Sequence, residues 1–249
     1  MRNVLVAGGA GGVGEGIVRA LLAIDDLRVI VTSRRAERLA QLREHVGDVA
    51  DPQRLIGIVG NAGEPRAAKT IAERIRAEFG GLDVAIPSLG GWWQGGPLLD
   101  VDPATWEAVR TEMLDTHVAF AQAFIPELLR SPGGLYLGIG GGAALFPVPN
   151  ASIVSIAAAA QLMLTRALAA ELADRDVRIL ELVVNGPVRT REWEAVAQPD
   201  WITADDLGTV VAQLIRDGET QWPLRRHHGA ILVMDQKGRP RPESREATT

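Results

Sequence analysis

The chain has 249 residues, a formal net charge of −5, 47% hydrophobic and 23% charged residues, and no cysteine. That length suffices for one large core, no apolar run is both long and uncharged enough to read as a bilayer span, and the acidic balance lacks the basic footprint that nucleic-acid binding needs. The missing cysteines exclude disulfides, thiolate metal ligands and a cysteine nucleophile, no metal site is expected, and an opening MRNVLVAGGA without leader-like regions makes a cytoplasmic location the expectation.

The first apolar run, residues 4–7, enters VLVAGGAGGVGEGI, a turn carrying Gly8, Gly11, Gly12, Val13 and Gly14, followed by a helical pattern over 13–24. A dinucleotide site needs such a turn: glycines let backbone approach a pyrophosphate, and the helix N-terminus offers unpaired N–H groups and partial positive charge. A glycine-rich turn that binds nothing is the plainer alternative. The second strand, 29–32, ends VIVTSRR. An acidic residue near Ser33 would bind ribose hydroxyls and repel a 2′-phosphate, whereas Arg34 and Arg35 pair with phosphate oxygens through their planar forks. This favours NADP(H) over NAD(H), unless both arginines only solvate the start of the next helix, 36–45.

Strand 55–59 leads into NAGE and helix 65–79, and strand 84–86 into SLGGWW. Helix 103–129 starts behind Asp102 as N-cap with Pro103 in its first turn, and ends at SPGG. Strand 135–139, helix 153–173, strand 179–184, helix 204–215 and strand 231–234 complete a domain over 1–238, and the polar, Pro-rich segment 239–249 reads as a loose tail. Uninterrupted apolar strands separated by helices indicate a parallel sheet covered on both faces. The expected architecture is a single-domain α/β, doubly wound (Rossmann-like) sheet of about seven strands.

In open α/β sheets, ligands bind beyond the carboxyl ends of the strands. Trp92 and Trp93 follow the fourth strand there, and Trp193 and Trp201 follow the sixth, an arrangement suited to an apolar or flat aromatic ligand. Packing beneath the loops or against a partner subunit is the alternative. Trp106 and Trp222 read as packing residues.

With these residues in place, the chain resembles the short-chain dehydrogenase/reductase family from residue 4 to about 238. Gly8, Gly12 and Gly14 have the spacing of the family's Gly-x-x-x-Gly-x-Gly turn; Asn61 and Ala62 of NAGE fall where the family meets the adenine. GLDVAIPSLGG resembles the strand ending in the family's Asn-Asn-Ala-Gly, with Leu89 and Gly90 at its end. NGPVRT, with Pro187, Val188 and Thr190, resembles the loop whose Thr contacts the nicotinamide amide. The resemblance implies NADP(H) as cofactor, a small-molecule substrate, and a homodimer or homotetramer built on the long helices, including the Ala-rich 157–160 stretch.

The family's reductive chemistry uses an Asn, a Ser, a Tyr and a Lys. Matching without gaps puts Met113 at the Asn position, Gly141 or Gly140 at the Ser position, Val154 at the Tyr position and Ala158 at the Lys position. The single tyrosine, Tyr136, is followed four residues later by Gly140, and the lysines are Lys69 and Lys237, so no Tyr-x-x-x-Lys pair exists. His117, one turn after Met113, is the one histidine to test as a replacement, although a helical histidine is more often structural. Glu112 and Asp115 lie off that face. Ser152 and Ser155 flank Val154; Ser155 is placed with Trp92, Trp93, Gly141, Trp193 and Trp201 in the expected substrate pocket, although serines at a helix start more often cap it. Three functions remain open: an NADP(H)-binding oxidoreductase acting on an apolar, cyclic or aromatic molecule without the standard proton donor; a catalytically silent NADP(H)-binding partner or regulator; and a fold reused for isomerisation, cyclisation or elimination.

Overall fold

The structure, a computed structural model, describes residues 1–47, 51–216, 230–235 and 238–243. Its strands lie where branched apolar residues occupy consecutive positions, because both faces of the sheet are covered: Val4, Leu5, Val6 and Ala7 are all wholly buried. The parallel strands are β1 (Arg2–Ala7), β2 (Leu27–Ser33), β3 (Leu55–Val59), β4 (Val84–Pro87), β5 (Gly134–Gly141), β6 (Val177–Val184) and β9 (Ala230–Met234). On one face, α1 (Gly12–Leu22), α2 (Ala36–Val46) and α7 (Ala204–Arg216) bring Ile17, Leu42 and Val211 against Val4, Val29 and Leu182. On the other, α3 (Pro65–Phe79) and α5 (Thr116–Leu128) set Ile75 and Phe120 against Leu5 and Tyr136, and α6 (Ser152–Glu171) adds Ala169.

With an edge strand β10 (Pro240–Pro242), the strand order is β10-β9-β6-β5-β4-β1-β2-β3. From β1 the chain runs outward to β3, then returns to place β4 on the other side of β1. Connections leaving β1 and β4 therefore depart to opposite faces, and a crevice opens between them at the carboxyl edge.

Three features differ from the sequence expectation. The main sheet has eight strands, because β10 (Pro240–Pro242) pairs antiparallel with β9 and so orders the start of the segment expected to be loose. Prolines are tolerated there because the strand is at an edge. A second, two-stranded sheet joins β7 (Val188–Arg189) to β8 (Ile202–Thr203), each too short to leave a periodic signal. The single helix expected over 103–129 is α4 (Pro103–Arg110), a π turn (Thr111–Asp115) and α5; Pro103 and the Asp102 cap stand as read, with Asp102 accepting from the Thr105 amide at 2.9 Å. By length and composition alone α6 could cross a membrane, but it packs along the sheet with 44% of its most apolar window buried. Trp222, Lys237 and the last six residues of the tail lie outside the described residues.

Where α1 crosses α7, a Cβ on Gly208 would collide with the Gly16 carbonyl, and one on Gly16 with the backbone of Ala204. A Gly208→Ala substitution should therefore destabilise the protein by about 3 kcal/mol, overriding the ~1 kcal/mol of helix propensity it gains. Urea unfolding of the two proteins checks this; an unchanged or higher midpoint would contradict the contact.

Candidate active site

The crevice holds a cavity of about 800 Å3 whose wall begins at the glycine turn. Gly8 sits at φ +79°, and a Cβ there would collide with the Ser88 carbonyl at the end of β4, so the close approach of the β1 and β4 ends requires glycine. Gly11 is the N-cap of α1 and supplies no side-chain cap. The first amides of the helix, at Gly12, Val13 and Gly14, thus remain as donors on the cavity wall. Glu15 would oppose an anion at this terminus, but its charge is already matched: Arg191 and Arg19 reach it at 2.7 and 2.6 Å, and His45 at 3.0 Å. Burial pushes its carboxyl up, yet the hydrogen bonds from Arg191 and His45 outweigh this and hold it below the usual range.

The loop after β6 closes the opposite wall with Pro187, Val188 and Thr190. Thr190 is 7% exposed, and its side chain lies against Gly12, where a Cβ would come within 2.7 Å of its Cβ. Its hydroxyl is buried with no hydrogen-bond partner among the described residues. Leu89 and Gly90 line the cavity from the loop after β4. Ser33, Arg34, Arg35, Asn61 and Ala62 lie outside the cavity wall, on the same carboxyl edge at the ends of β2 and β3. Arg34 and Arg35 are exposed, and among the described residues neither pairs with a carboxylate.

Met113, Gly141, Gly140, Val154 and Ala158 come from three separate elements, the π turn, β5 and α6, and all line this one cavity. Met113 reaches it from the π turn. No tyrosine or lysine lines the wall among the described residues. Tyr136 is buried in the core beside Phe120, its ring 6.2 Å away, and burial raises its hydroxyl pKa far above the ordinary value.

Trp92, Trp193 and Trp201 line the cavity, joined by Phe146; Trp92, Trp193 and Phe146 are about half-exposed at its rim. Trp93 instead packs with Trp106 and Val109 beneath the loop, and that loop is tied to the start of α6 by the Gly95 amide donating to the Asn150 carbonyl at 3.1 Å. Ser155 turns away from the cavity, its hydroxyl accepting the Val148 amide at 3.1 Å, and Ala151 rather than Ser152 is the N-cap of α6. Asp115 pairs with Arg110 at 2.6 Å. His117 is wholly buried, and its Nε2 meets the Leu89 carbonyl at 3.2 Å. Burial pushes its imidazole down to about 4, against the opposing effect of that carbonyl, so the neutral ring donates to and fixes the Leu89 backbone. Its place is behind the wall, not in it.

One group without a signal in the motif reading lies under the floor. Glu181 of β6 is 1% exposed and occupies space left by Gly138 and Gly140 of β5, where a Cβ on Gly140 would stand 2.6 Å from Oε1. Thr165 donates to Glu181 at 2.7 Å and the Gln161 amide at 2.9 Å. Gln161 also donates to the Ile139 carbonyl at 3.2 Å and lines the cavity. Burial pushes the Glu181 carboxyl up to about 7, with the two hydrogen bonds only partly offsetting it. A raised carboxyl favours folding most when protonated in both states, below about 4.5, and loses that contribution as pH climbs through about 7. Relative to wild type, Glu181→Gln should therefore gain on the order of 3 kcal/mol between pH 4.5 and 7.5. Urea unfolding across that range tests it; parallel curves for the two proteins would refute the buried ionisation.

Comparison with known proteins agrees with this geometry. Residues 2–200 match the model of the short chain dehydrogenase family. Cis-2,3-dihydrobiphenyl-2,3-diol dehydrogenase of Metapseudomonas furukawaii is 32% identical over 173 residues, covering 68% of this chain and 60% of that protein's length. Among solved structures, ElxO with NADP bound superposes with a TM-score of 0.82 at 18% identity, covering 95% of this chain and 98% of that one. A metagenomic short-chain oxidoreductase in complex with NADP gives 0.71 at 25% identity, covering 86% and 89%. With a family match over residues 2–200 and the family's sheet order and crevice both present, the chain belongs to the short-chain dehydrogenase/reductase family of oxidoreductases.

Proposed function

We propose that the protein is an NADP(H)-dependent oxidoreductase acting on an apolar, cyclic or aromatic small molecule, without the tyrosine–lysine proton donor of its family. The observation that carries the cofactor is the Thr190 hydroxyl, buried against the glycine turn with its hydrogen bonding unmet. Such a group costs ~1–3 kcal/mol until a ligand takes it. The uncapped amides of α1 would hold a pyrophosphate, Arg34 and Arg35 a 2′-phosphate beside Ser33, Asn61 and Ala62 the adenine end, and Leu89, Gly90, Pro187, Val188 and Thr190 the nicotinamide end. Two of the similar structures hold NADP by their own descriptions.

The bound nicotinamide would give or take a hydride. The chain's own residues do the rest: Trp92, Trp193, Trp201 and Phe146 offer flat apolar surface to a ring and exclude water from it, and Met113 and Val154 complete an apolar floor. The cis-2,3-dihydrobiphenyl-2,3-diol in the name of the bacterial relative is a cyclic molecule that carries such an aromatic ring. Gly141, Val154 and Ala158 carry no transferable proton, so the reading favours an acceptor needing little protonation from the enzyme, such as an iminium or conjugated alkene. The residues at all four of the family's catalytic positions, Met113, Gly141, Val154 and Ala158, favour a second reading, a silent NADP(H)-binding partner or regulator. We further place a homodimer or homotetramer contact on the outward face of α6, where Ile156 and Met163 are 45% and 57% exposed.

Titration with NADPH should enhance nicotinamide fluorescence to saturation. The double variant Arg34→Glu, Arg35→Glu should weaken NADPH by about 10- to 100-fold, the size of one or two charge-assisted hydrogen bonds, and change NADH little. Absence of any NADPH signal sinks the cofactor assignment. Saturable binding with no turnover of cyclic imines, enones or dihydrodiols sinks the oxidoreductase and leaves the silent binder.

A further inference from the structure

Gln161 is the one long polar side chain of α6 in the cavity wall, and it is 5% exposed. It stands one helical turn beyond Ala158, beside Gly140, so it borders the part of the cavity where Gly141, Val154 and Ala158 leave space. Its nitrogen serves two acceptors behind the wall, the Ile139 carbonyl at 3.2 Å and Glu181 at 2.9 Å. A primary amide has two N–H donors, so both are used, and what the group still offers is its carbonyl oxygen.

We propose that Gln161 contacts the bound ligand through its amide oxygen, taking a hydrogen bond from a ligand hydroxyl, and that Glu181 is the positioning residue that holds the amide in that orientation. The inference rests on the reading that the cavity takes a nicotinamide cofactor with a small molecule beside it. The hydroxyl belongs either to the cofactor's ribose or to the substrate. Both present the same donor.

Several features support a role beyond packing. A buried carboxyl in mid-strand opposes folding at neutral pH, and an apolar residue of similar volume would avoid that cost. Two glycines in β5 clear the space it fills, and its two oxygens receive one donor each, from Gln161 and Thr165. Ionised, Glu181 can only accept, which fixes the Gln161 nitrogen towards it. Protonated, it gains an O–H that can donate to the Gln161 oxygen and turn the amide round. Among the described residues, the groups facing it are Tyr136 from β5, kept neutral by burial, Gln161 and Thr165 from α6, and apolar Ile231 beside it on β9. Arg166, the charged neighbour on α6, is engaged by Glu243 at 2.7 Å.

The test uses the full chain with NADPH as one probe and, with NADPH present, 2,3-dihydroxybiphenyl and biphenyl as a second pair, read by quenching of the wall tryptophans. Gln161→Met keeps the volume and removes the acceptor. It should lower NADPH affinity by about tenfold if the hydroxyl is the ribose's, or abolish a preference for dihydroxybiphenyl over biphenyl of about that size if it is the substrate's. In wild type the affected affinity should fall as pH drops below about 7, and Glu181→Gln, a variant expected to fold at least as well, should remove that step. Wild-type NADPH binding with both affinities intact in Gln161→Met overturns this assignment while the cofactor reading stands. An identical pH profile in Glu181→Gln overturns the positioning role. A wild type that binds no NADPH overturns the cofactor reading and this assignment with it.

Discussion

The structure turns on the approach of two backbones at the carboxyl edge of the sheet, where the end of β1 meets the end of β4. A parallel sheet that reverses its strand order at this point must open a crevice, and only a residue without a Cβ lets the turn after β1 pass the Ser88 carbonyl. Once that turn is fixed, α1 begins where it does and its first amides face the cavity. Thr190 then closes against Gly12 from the far side, and the loop it belongs to is drawn in by Arg191 on Glu15 and Arg38 on Glu192. Each pair contributes little where it is solvent-exposed, but the two act on the same short loop.

Against that frame, the polar groups near the cavity fall into two kinds. Asn61 accepts from the Gly63 amide, Ser155 from the Val148 amide, and His117 donates to the Leu89 carbonyl; each secures a loop that borders the site. Thr190 and Gln161 differ: the Thr190 hydroxyl has no partner among the described residues, and Gln161 has spent both amide donors and, on the inference above, keeps its oxygen for a ligand. Buried groups of the first kind stabilise the empty protein. Those of the second kind are satisfied only by something that enters.

The order of strands and helices was legible because each apolar run is continuous and each helix keeps its period; α3 runs from Pro65 to Phe79, the bounds its period gives. What escaped was set by tertiary contact. A two-residue strand such as β7 has no period, Pro240–Pro242 pairs only because β9 offers it a free edge, and the π turn in 111–115 is invisible to a pattern that tolerates either helix. The glycine turn and the paired arginines could be read from residue type alone. Glu181 and Gln161 could not, since they stand 20 residues apart and meet only when β6 passes under α6. A glutamate inside ILELVV opposite the glycines of LGIGG was the available signal, and it gains meaning only once register places Glu181 beside Gly138.

The lining also constrains the chemistry. A general acid contributes on the order of 10²- to 10⁴-fold, or roughly 3–5 kcal/mol of barrier, so on the proposed reading, without the family's tyrosine–lysine donor, the substrates would be ones whose hydride acceptor is already electron-poor or whose proton can come from water. An apolar wall of tryptophans works against delivery of that water but favours a cationic or conjugated acceptor, which stacks on indole faces and spreads the charge that hydride transfer changes. On the proposed reading the two properties belong together: removing the proton donor narrows the chemistry to acceptors of this kind, and the aromatic rim selects molecules able to present one.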